Sequence, residues 1–276
     1  GPLKPLLESS TVIAHNAKFD LLWLRVKSGI NSRKVICTLT ASRLLVAGTK
    51  PGNNLDHCLK RYLGVEPGKD HSLSNWGAML LTVDQLDYAA RDVSYLHDLA
   101  GVVEHKLEIA GLDDVWHLEK ELLPYIIDIE ESGVSVDRDK LTRIAAEQTL
   151  VAERIAGELR AVLGAPDLNL ASPVKLLAAL RATGLDLKST REEELKCCDE
   201  GVTIPLLLAH REAIKRLQQA EALRDHIGPD GRIHARFEPT GTVTGRFSSK
   251  DPSLQNIARG ELREAFTPRQ GCKLIV

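Results

Sequence analysis

Two pairs of polar side chains have the types and spacing that phosphate or metal chemistry requires. Asn16 and Asp20 are four residues apart and follow an apolar run, residues 12–15, of the kind that forms a buried strand. If a helix begins at Asn16, both side chains point the same way from the carboxyl end of that strand, where open α/β sheets bind ligands. Tyr88 and Asp92 repeat this spacing in a later helical segment. A capping Asn with a surface Asp, and a half-buried Tyr beside a solvated Asp, are the plainer interpretations of these pairs.

A third polar stretch, residues 242–257, reads Thr-Val-Thr-Gly-Arg-Phe-Ser-Ser-Lys-Asp-Pro-Ser-Leu-Gln-Asn-Ile. Its content of Gly, Ser, Thr and Pro argues against a helix and against a plain strand. Arg246 lies in a run of hydroxyl and amide side chains, which both donate and accept hydrogen bonds. The stretch is therefore expected either to bind a polar ligand or to form a solvated loop.

Hydrophobic spacing predicts the elements that would hold the first two pairs. After the strand at 12–15, a helix that ends at Gly29 is indicated by apolar residues at helical spacing, namely Phe19, Leu22, Trp23 and Val26. A strand at 34–38 and helices at 39–46 and 55–64 follow, the last closed by Gly64. One long helix is predicted at 84–110, with an apolar stripe that comprises Leu86, Ala89, Ala90, Val93, Leu96, Leu99, Val102 and Val103. This order of strands and helices is typical of an α/β layer.

The second half of the sequence is predicted to be mainly helical. Helices are expected at 137–163, with Asp137 as the N-cap, from Pro173 onward, and at 202–227. A turn at 228–231 leads to a predicted strand at 232–237, directly before the polar stretch.

The composition indicates a globular chain, with 43% hydrophobic and 27% charged residues, and no apolar run approaches the length of a membrane span. The five cysteines are odd in number and form no CxxC pair, so we expect neither a disulfide framework nor a zinc site, and a reducing compartment. The net charge is −2, but residues 228–276 carry eight Lys and Arg against five Asp and Glu. This local excess of three positive charges suits contacts with phosphate.

The polar stretch resembles a known signature. Its Thr-Gly-Arg-Phe-Ser-Ser run, followed by Asp-Pro-Ser-Leu-Gln-Asn-Ile, is similar to the TGR and QNI segments of family A DNA polymerases, the bacterial polymerase I type. The resemblance implies that Arg246 contacts primer–template DNA from the minor-groove side, whose acceptors occur on every base pair. It implies further DNA contacts from the neighbouring polar residues Thr244, Ser248, Ser249, Gln255 and Asn256. Thr242 and Thr244 also suit a role in shaping the turn.

The first two pairs resemble motifs of a nuclease family. The second and third motifs of the DEDDy 3′–5′ exonucleases are similar to residues 16–20, Asn-Ala-Lys-Phe-Asp, and residues 88–92, Tyr-Ala-Ala-Arg-Asp. The pattern Trp76…Gln85-Leu86…Tyr88 resembles the RNase D-like members. The resemblance implies catalytic roles for Asn16, Asp20, Tyr88 and Asp92, with Asp20 and Asp92 as Mg²⁺ ligands and with Tyr88 orienting the attacking water.

The family's first motif, a strand with an Asp-x-Glu pair, is expected upstream of residue 1. Hydrolysis by two metal ions needs converging carboxylates, and Mg²⁺ demands nearly complete octahedral oxygen coordination. We therefore expect the two-metal sites to be incomplete in this fragment and its exonuclease activity to be small.

The expected fold is an α/β, RNase H-like exonuclease domain at residues 1–112, incomplete at its N-terminus, followed by a partial family A polymerase domain at 113–276. Residues 137–227 would form a mainly α-helical thumb, and residues 228–276 would contribute the first strands of an α+β palm. The segment Lys273-Leu274-Ile275-Val276, whose last three residues are apolar, is interpreted as an unfinished strand. The fragment is therefore expected to lack the polymerase motifs and to be inactive by itself.

These resemblances imply a DNA-directed DNA polymerase with a 3′–5′ exonuclease domain, acting in replication and repair by two-metal nucleotide addition. The fragment would bind primer–template DNA as a monomer without a membrane partner, and deoxynucleotides would be substrates of the full-length parent. The expected location is cytoplasmic, nucleoid-associated in a bacterium or phage-encoded. Two alternatives stay open: a stand-alone RNase D-like 3′–5′ exonuclease, which leaves the polar stretch unexplained, and a non-catalytic nucleic-acid-binding module.

Overall fold

The structure is a computed structural model and describes residues 2–49, 51–66, 73–197, 201–242, 244–269 and 271–274. Val243 of the polar stretch and residues 275–276 of the expected C-terminal strand lie outside these ranges. In chain order the helices are α1 (Leu3–Ser9), α2 (Ala17–Ser28), α3 (Thr38–Leu45), α4 (Leu55–Leu63), α5 (Val83–Ser94), α6 (Leu96–Ile109), α7 (Asp113–Ser132), α8 (Arg138–Val162), α9 (Pro173–Ala182), α10 (Glu192–Lys196), α11 (Thr203–Asp225) and α12 (Glu261–Glu264). The strands are β1 (Val12–Ala14), β2 (Val35–Cys37), β3 (Val134–Val136), β4 (Arg232–Ile233), β5 (Arg236–Glu238), β6 (Ser248–Lys250) and β7 (Phe266–Thr267).

Contacts divide the chain into two units. Unit 1 comprises residues 1–132 together with 236–250, and unit 2 comprises 133–235 together with 251–276. The units are defined by packing, whereas the domain boundary expected near residue 112 rests on resemblance, so that boundary stays a prediction.

A parallel pair of strands, β1 and β2, lies at the centre of unit 1. Helix α2 connects them, as a parallel pair requires a crossover. Ala17 and Leu21 of α2 are buried with Val35 and Cys37 of β2 and with two apolar side chains of α7. Since each fully buried aliphatic side chain stabilises the fold by about 1.5–3 kcal/mol, this cluster fixes α2 against the strands and against α7.

A second cluster of unit 1 is formed by α3, α4, α6 and α7. Its buried members are Ala41, Cys58, Leu59, Leu99, Val103, Leu107 and Trp116. The indole N–H of Trp116 donates to Glu104 at 2.9 Å, so the ring is buried without an unsatisfied donor. Helix α4 ends at Gly64 with φ at 68°, in the left-handed region that favours glycine. The predicted glycine cap is therefore present.

The polar stretch begins in unit 1, on a hairpin of β5 and β6. The strands are antiparallel, with Phe237 opposite Ser249 and Glu238 opposite Ser248. Glu238 forms an ion pair with Lys250 across the hairpin. The loop between the strands, of which Val243 is not described, carries the first part of the polar stretch.

Unit 2 is mainly helical. The long helices α8 and α11 pack against each other, and α9 and α10 share a buried cluster with them that comprises Leu159, Leu176, Leu180, Leu187, Leu195, Ile204 and Leu207. Asp137 caps α8 by accepting from the Lys140 N–H at 2.8 Å, and Ser172 caps α9 in front of Pro173. A small antiparallel sheet of order β4-β3-β7 completes the unit.

The predicted fold class is confirmed: an α/β segment precedes a mainly helical segment that carries short antiparallel strands. Within the described ranges, no helix combines the length and hydropathy needed to cross a bilayer.

The prediction of one continuous helix at 84–110 is wrong, because the segment forms two helices, α5 and α6. It is divided at Tyr95, whose N–H donates to the Val93 carbonyl, two residues back, and so breaks the regular ladder. The predicted stripe faces the core only in α6, where Leu99 and Val103 are fully buried, whereas Leu86 of α5 is 53% exposed. Periodicity alone cannot reveal that one part of a stripe lacks a packing partner.

The apolar residues predicted to define α2 also differ from its buried ones. Phe19, Trp23 and Val26 are 51–59% exposed, whereas Ala17 and Leu21 form the buried face. The helix turns Ala17 and Leu21 inward, and its two aromatic residues toward solvent.

Two predictions for the C-terminal strands need correction. The strand predicted at 232–237 is divided into β4 and β5, which pair with different partners. The stretch 242–257, expected to be irregular, contains β6, because backbone pairing with β5 extends Ser248–Lys250 despite its hydroxyl side chains.

Candidate functional site

The first predicted pair lies at the start of α2, directly after β1. Asn16 occupies the N-cap position with φ at 67° and ψ at 42°, a left-handed conformation that Asn tolerates better than most residues. Its carbonyl accepts the Phe19 N–H at 2.9 Å. The side chain makes no capping hydrogen bond, so the predicted cap is correct in position and wrong in mechanism. Asn16 is exposed, so its amide is accessible from solvent.

Asp20 lies in the first turn of α2, beside a shallow surface pocket that also involves Trp23 and Lys27. Desolvation by the surrounding atoms raises the pKa of the Asp20 carboxyl, and a backbone hydrogen bond partly offsets that rise. The residue as a whole is exposed, so the desolvation is local to the carboxyl. Phe19 contacts Trp23 edge-on at 6.3 Å between ring centroids. The exposed end of α2 thus combines a carboxyl with two aromatic rings.

The second predicted pair lies on α5, and the loop at 74–76 packs beside it. Thr82 and Gln85 form a capping box at the start of α5. The buried Gln85 amide also donates to the Ser74 hydroxyl at 3.0 Å. Trp76 contacts Tyr88 with ring centroids 6.0 Å apart. The structure therefore brings together Trp76, Gln85 and Tyr88, three of the four residues of the RNase D-like pattern, whereas the fourth, Leu86, is 53% exposed.

Tyr88 and Asp92 are both half-buried. The guanidinium of Arg91 lies 5.5 Å from the centroid of the Tyr88 ring, a distance at which a cation is attracted by the ring face.

A resident metal ion requires a set of converging ligands. In the part of the chain that the structure describes, no three His, Cys, Asp or Glu side chains are grouped so that they could hold one. Asp20 and Asp92 thus belong to no three-ligand set there and are by themselves too few to hold two metal ions, so we derive no reaction step through a metal.

Arg246 lies in the loop of the β5–β6 hairpin and is exposed. Its guanidinium makes no hydrogen bond or ion pair with any residue in the described ranges. The Thr242 hydroxyl donates to the Arg246 carbonyl at 2.7 Å and lies 3.3 Å from the Thr244 hydroxyl. These contacts join Thr242 to Thr244 and to Arg246 within the loop.

The other predicted DNA contacts differ in accessibility and are divided between the units. In unit 1, Ser248 is half-buried and Ser249 is only 9% exposed, both on β6. In unit 2, Gln255 and Asn256 are exposed. The Asn256 carbonyl accepts from Gln219 of α11 at 2.7 Å.

A cleft of about 510 Å³ in unit 1 borders the same hairpin loop. Its walls include Arg43, Glu119 and Thr240. One carboxyl oxygen of Glu119 and the Thr240 hydroxyl are buried without a hydrogen-bond partner among the described residues. Burial raises the pKa of Glu119. Sequence reasoning missed this cleft, because its walls come from α3, α7 and the hairpin loop.

His15 precedes Asn16 and is held at both ring nitrogens. Nδ1 is 2.9 Å from the Thr38 hydroxyl, and Nε2 is 2.9 Å from the Asn53 carbonyl. Desolvation lowers the pKa of His15, although the Asn53 carbonyl opposes the shift. The neutral ring therefore ties the end of β1 to α3 and to the loop before α4.

Lys18 and Glu130 were also missed as functional candidates. Lys18 lies between Asn16 and Asp20, and Glu130 lies near the end of α7. Their ammonium and carboxylate are 2.7 Å apart, and Glu130 is 5% exposed. The available signal was a Lys inside the resembling motif, but its partner is 112 residues away.

Comparison with known proteins gives two matches to family models. A model described as 3′-5′ exonuclease matches residues 1–108, and a model described as DNA polymerase family A matches residues 138–276.

Individual relatives agree with these matches. "DNA polymerase I" of Rhizobium leguminosarum is 32% identical over 99% of this chain, and "DNA polymerase I" of Aquifex aeolicus is 27% identical over 100% of this chain. The chain spans 29% and 51% of the length of these two relatives.

A solved structure is also similar: the POL domain of Pol1 from M. smegmatis in complex with DNA primer-template and dNTP. Its TM-score is 0.82 at 26% sequence identity, and the similarity covers 96% of this chain and 47% of that chain.

Proposed function

Because the chain belongs to DNA polymerase family A, we propose that it is the part of a DNA-directed DNA polymerase that holds primer–template DNA. In that role the β5–β6 hairpin presents Arg246 to the minor groove near the primer end. The parent protein would use deoxynucleotides as substrates in replication and repair.

The proposal rests on one observation, the exposure of the Arg246 side chain. An exposed guanidinium keeps its donors available for an external ligand, and no described side chain neutralises its charge. Minor-groove acceptors are present on every base pair, so such a contact holds any primer–template sequence. The excess of positive charge in residues 228–276 supports the same role through phosphate contacts.

For residues 1–108 we propose descent from a 3′–5′ exonuclease domain, with Asn16, Asp20, Tyr88 and Asp92 as its nuclease residues. In the parent, Asp20 and Asp92 would join further carboxylates to hold Mg²⁺, which supplies charge stabilisation during phosphodiester hydrolysis. By itself the 276-residue chain is expected to trim DNA poorly, because two carboxylates cannot hold two such ions.

We also propose that the chain acts as a monomer in a bacterial or phage setting without a membrane partner, and that residues 113–276 are the polymerase part. Residues 137–227 correspond in this proposal to the thumb.

The proposal is tested by equilibrium binding of the 276-residue chain to labelled nucleic acids. A recessed primer–template should bind more tightly than a blunt duplex of equal length or an RNA hairpin. Equal affinity for all three would reduce the chain to a non-specific nucleic-acid-binding module.

A second arm addresses the nuclease alternative. The chain is incubated with Mg²⁺ and a single-stranded DNA or RNA, and the 3′ end is followed. Robust trimming that disappears in Asp92→Ala would contradict the expected inactivity and favour the RNase D-like alternative.

A further inference from the structure

The β5–β6 hairpin is held to α2 by a compact group of charges and backbone atoms within unit 1. The Lys18 ammonium donates to the Glu130 carboxylate at 2.7 Å and to the Phe237 carbonyl at 2.7 Å. The Phe237 N–H donates to the same carboxylate oxygen at 2.5 Å. Both backbone groups of Phe237 are therefore bound by one ion pair.

This ion pair is shielded from solvent. The Lys18 and Glu130 side chains are 18% and 5% exposed. Charge-assisted hydrogen bonds are short and strong, and in a poorly hydrated site they are screened little by salt. A buried carboxylate is costly unless it is paired and hydrogen-bonded, so Glu130 requires both Lys18 and the strand. The contact therefore selects one position for β5.

The contact of Lys18 joins two segments that resemble motifs of different functions. Lys18 belongs to the first turn of the helix that carries Asn16 and Asp20, whereas β5 leads directly into the loop of Arg246. One side chain thus joins the helix of the exonuclease-like motif to the hairpin of the polymerase-like motif.

We propose that Lys18 is a positioning residue for primer–template binding: through Glu130 and Phe237 it fixes the hairpin that presents Arg246. The proposal rests on the proposed function, since it assigns the contact a consequence for DNA. Lys18 itself need not touch the DNA, because it acts through the strand.

Arg25 provides a matched control on the same helix. Its side chain is also 18% exposed, and it joins α2 to α7 through Asp128 at 2.5 Å and Glu131 at 2.9 Å. Neither of these carboxylates has a hydrogen bond to β5 among the contacts described above. Arg25→Met should therefore weaken the docking of α2 on α7 and leave the hairpin in place.

The experiment compares Lys18→Met, Lys18→Arg and Arg25→Met in the full 276-residue chain. Two quantities are measured: hydrogen exchange of the Phe237 amide and affinity for a recessed primer–template. Lys18→Met should accelerate exchange and weaken primer–template binding about tenfold, a typical coupling between linked sites. Lys18→Arg should recover most of the binding, because it keeps the charge and the donors. Arg25→Met should alter neither quantity.

A double variant separates positioning from folding. Lys18→Met removes the Lys18 ammonium from the buried Glu130 carboxylate, which destabilises the unit. In Lys18→Met with Glu130→Gln that charge is absent, so the thermal midpoint should recover. The Phe237 carbonyl still lacks the Lys18 donor, so binding should stay weakened.

Three outcomes would overturn the proposal. The first is an equal loss of binding in Lys18→Met and Arg25→Met, and the second is a recovery of both binding and the thermal midpoint in the double variant. The third is faster exchange of the Phe237 amide in Lys18→Met without any change in DNA affinity. If the unmodified chain binds no primer–template, the proposed function fails and the positioning role fails with it. The exchange measurement then still decides whether Lys18 holds the hairpin, so the two failures are distinguishable.

Discussion

Replacement of Arg246 by Ala separates a base-pair contact from a general electrostatic contact. Arg246 is exposed, and its guanidinium makes no hydrogen bond or ion pair among the described residues, so loss of the side chain should change the free energy of unfolding by no more than about 0.5 kcal/mol. A well-placed guanidinium contact with base edges contributes about 1–3 kcal/mol. We therefore expect primer–template affinity to fall roughly 5- to 150-fold while the fold is retained.

The matched control is Arg259→Ala. Arg259 is also exposed and lies in the same basic C-terminal segment, but it follows the end of the resembling stretch. Its loss removes one positive charge, and if that charge faces phosphate, the slope of log affinity against log salt should become shallower by about 0.9. Arg246→Ala should instead lower the affinity at every salt concentration with a smaller change in slope.

Binding is measured by fluorescence anisotropy over a salt series, and the thermal midpoint of each variant is recorded alongside. If the two variants lose the same affinity at low salt and none at high salt, Arg246 acts only as a charge. The assignment of a minor-groove contact would then be refuted.

Three further predictions concern stability. Leu159→Ala in the fully buried cluster of unit 2 should lower the free energy of unfolding by about 2–5 kcal/mol, measured by urea unfolding. Glu119→Gln should stabilise the chain near neutral pH, because burial disfavours the charged carboxylate and raises its pKa. The cost of burying that charge is absent below the ordinary pKa of 4.5 and grows as the pH rises from there through the raised value. Burial lowers the pKa of His15, so the contribution of its neutral ring to stability is complete above the ordinary pKa of 6.5 and is lost as the pH falls through the lowered value. His15→Gln should therefore make the free energy of unfolding less dependent on pH below 6.5.

Each of these predictions has a contradicting result. Leu150, on the same helix as Leu159, is 68% exposed, and an equal loss in Leu150→Ala would show that burial does not govern the effect. A benefit of Glu119→Gln that persists unchanged at pH 4 would exclude desolvation of its charge as the cause. An unchanged pH profile in His15→Gln would mean that the ring's protonation is not linked to folding.

Local signals explain why much of the fold was predictable. The end of α4 at Gly64 was predictable because the need for a left-handed residue there depends only on the neighbouring residues. Asp137 caps α8 through a hydrogen bond to a residue three positions ahead. The strands β1 and β2 and the long helices were visible for the same reason, since hydrophobic period and caps are properties of short segments.

Predictions failed where the outcome depended on distant partners. Leu86 belongs to a helical stripe in the sequence, yet it is exposed because unit 1 provides no described packing partner for that face of α5. Ser248–Lys250 was expected to be irregular, yet β5 pairs with it and extends it. The buried face of α2 is set by the sheet and by α7, and not by the largest apolar residues of the helix.

The candidate site likewise has some features that the sequence determined and others that depended on distant partners. By itself, the sequence determined the residue types: the Asn16–Asp20 and Tyr88–Asp92 spacings, the polar stretch around Arg246, and the family to which these motifs belong. Only the tertiary structure decided that Arg246 lies exposed in the loop of the β5–β6 hairpin and that Lys18 binds Glu130 and Phe237. The physical reason is separation along the chain: Glu130 and Phe237 are 107 residues apart, and no local propensity encodes which buried carboxylate will accept a hydrogen bond from which strand.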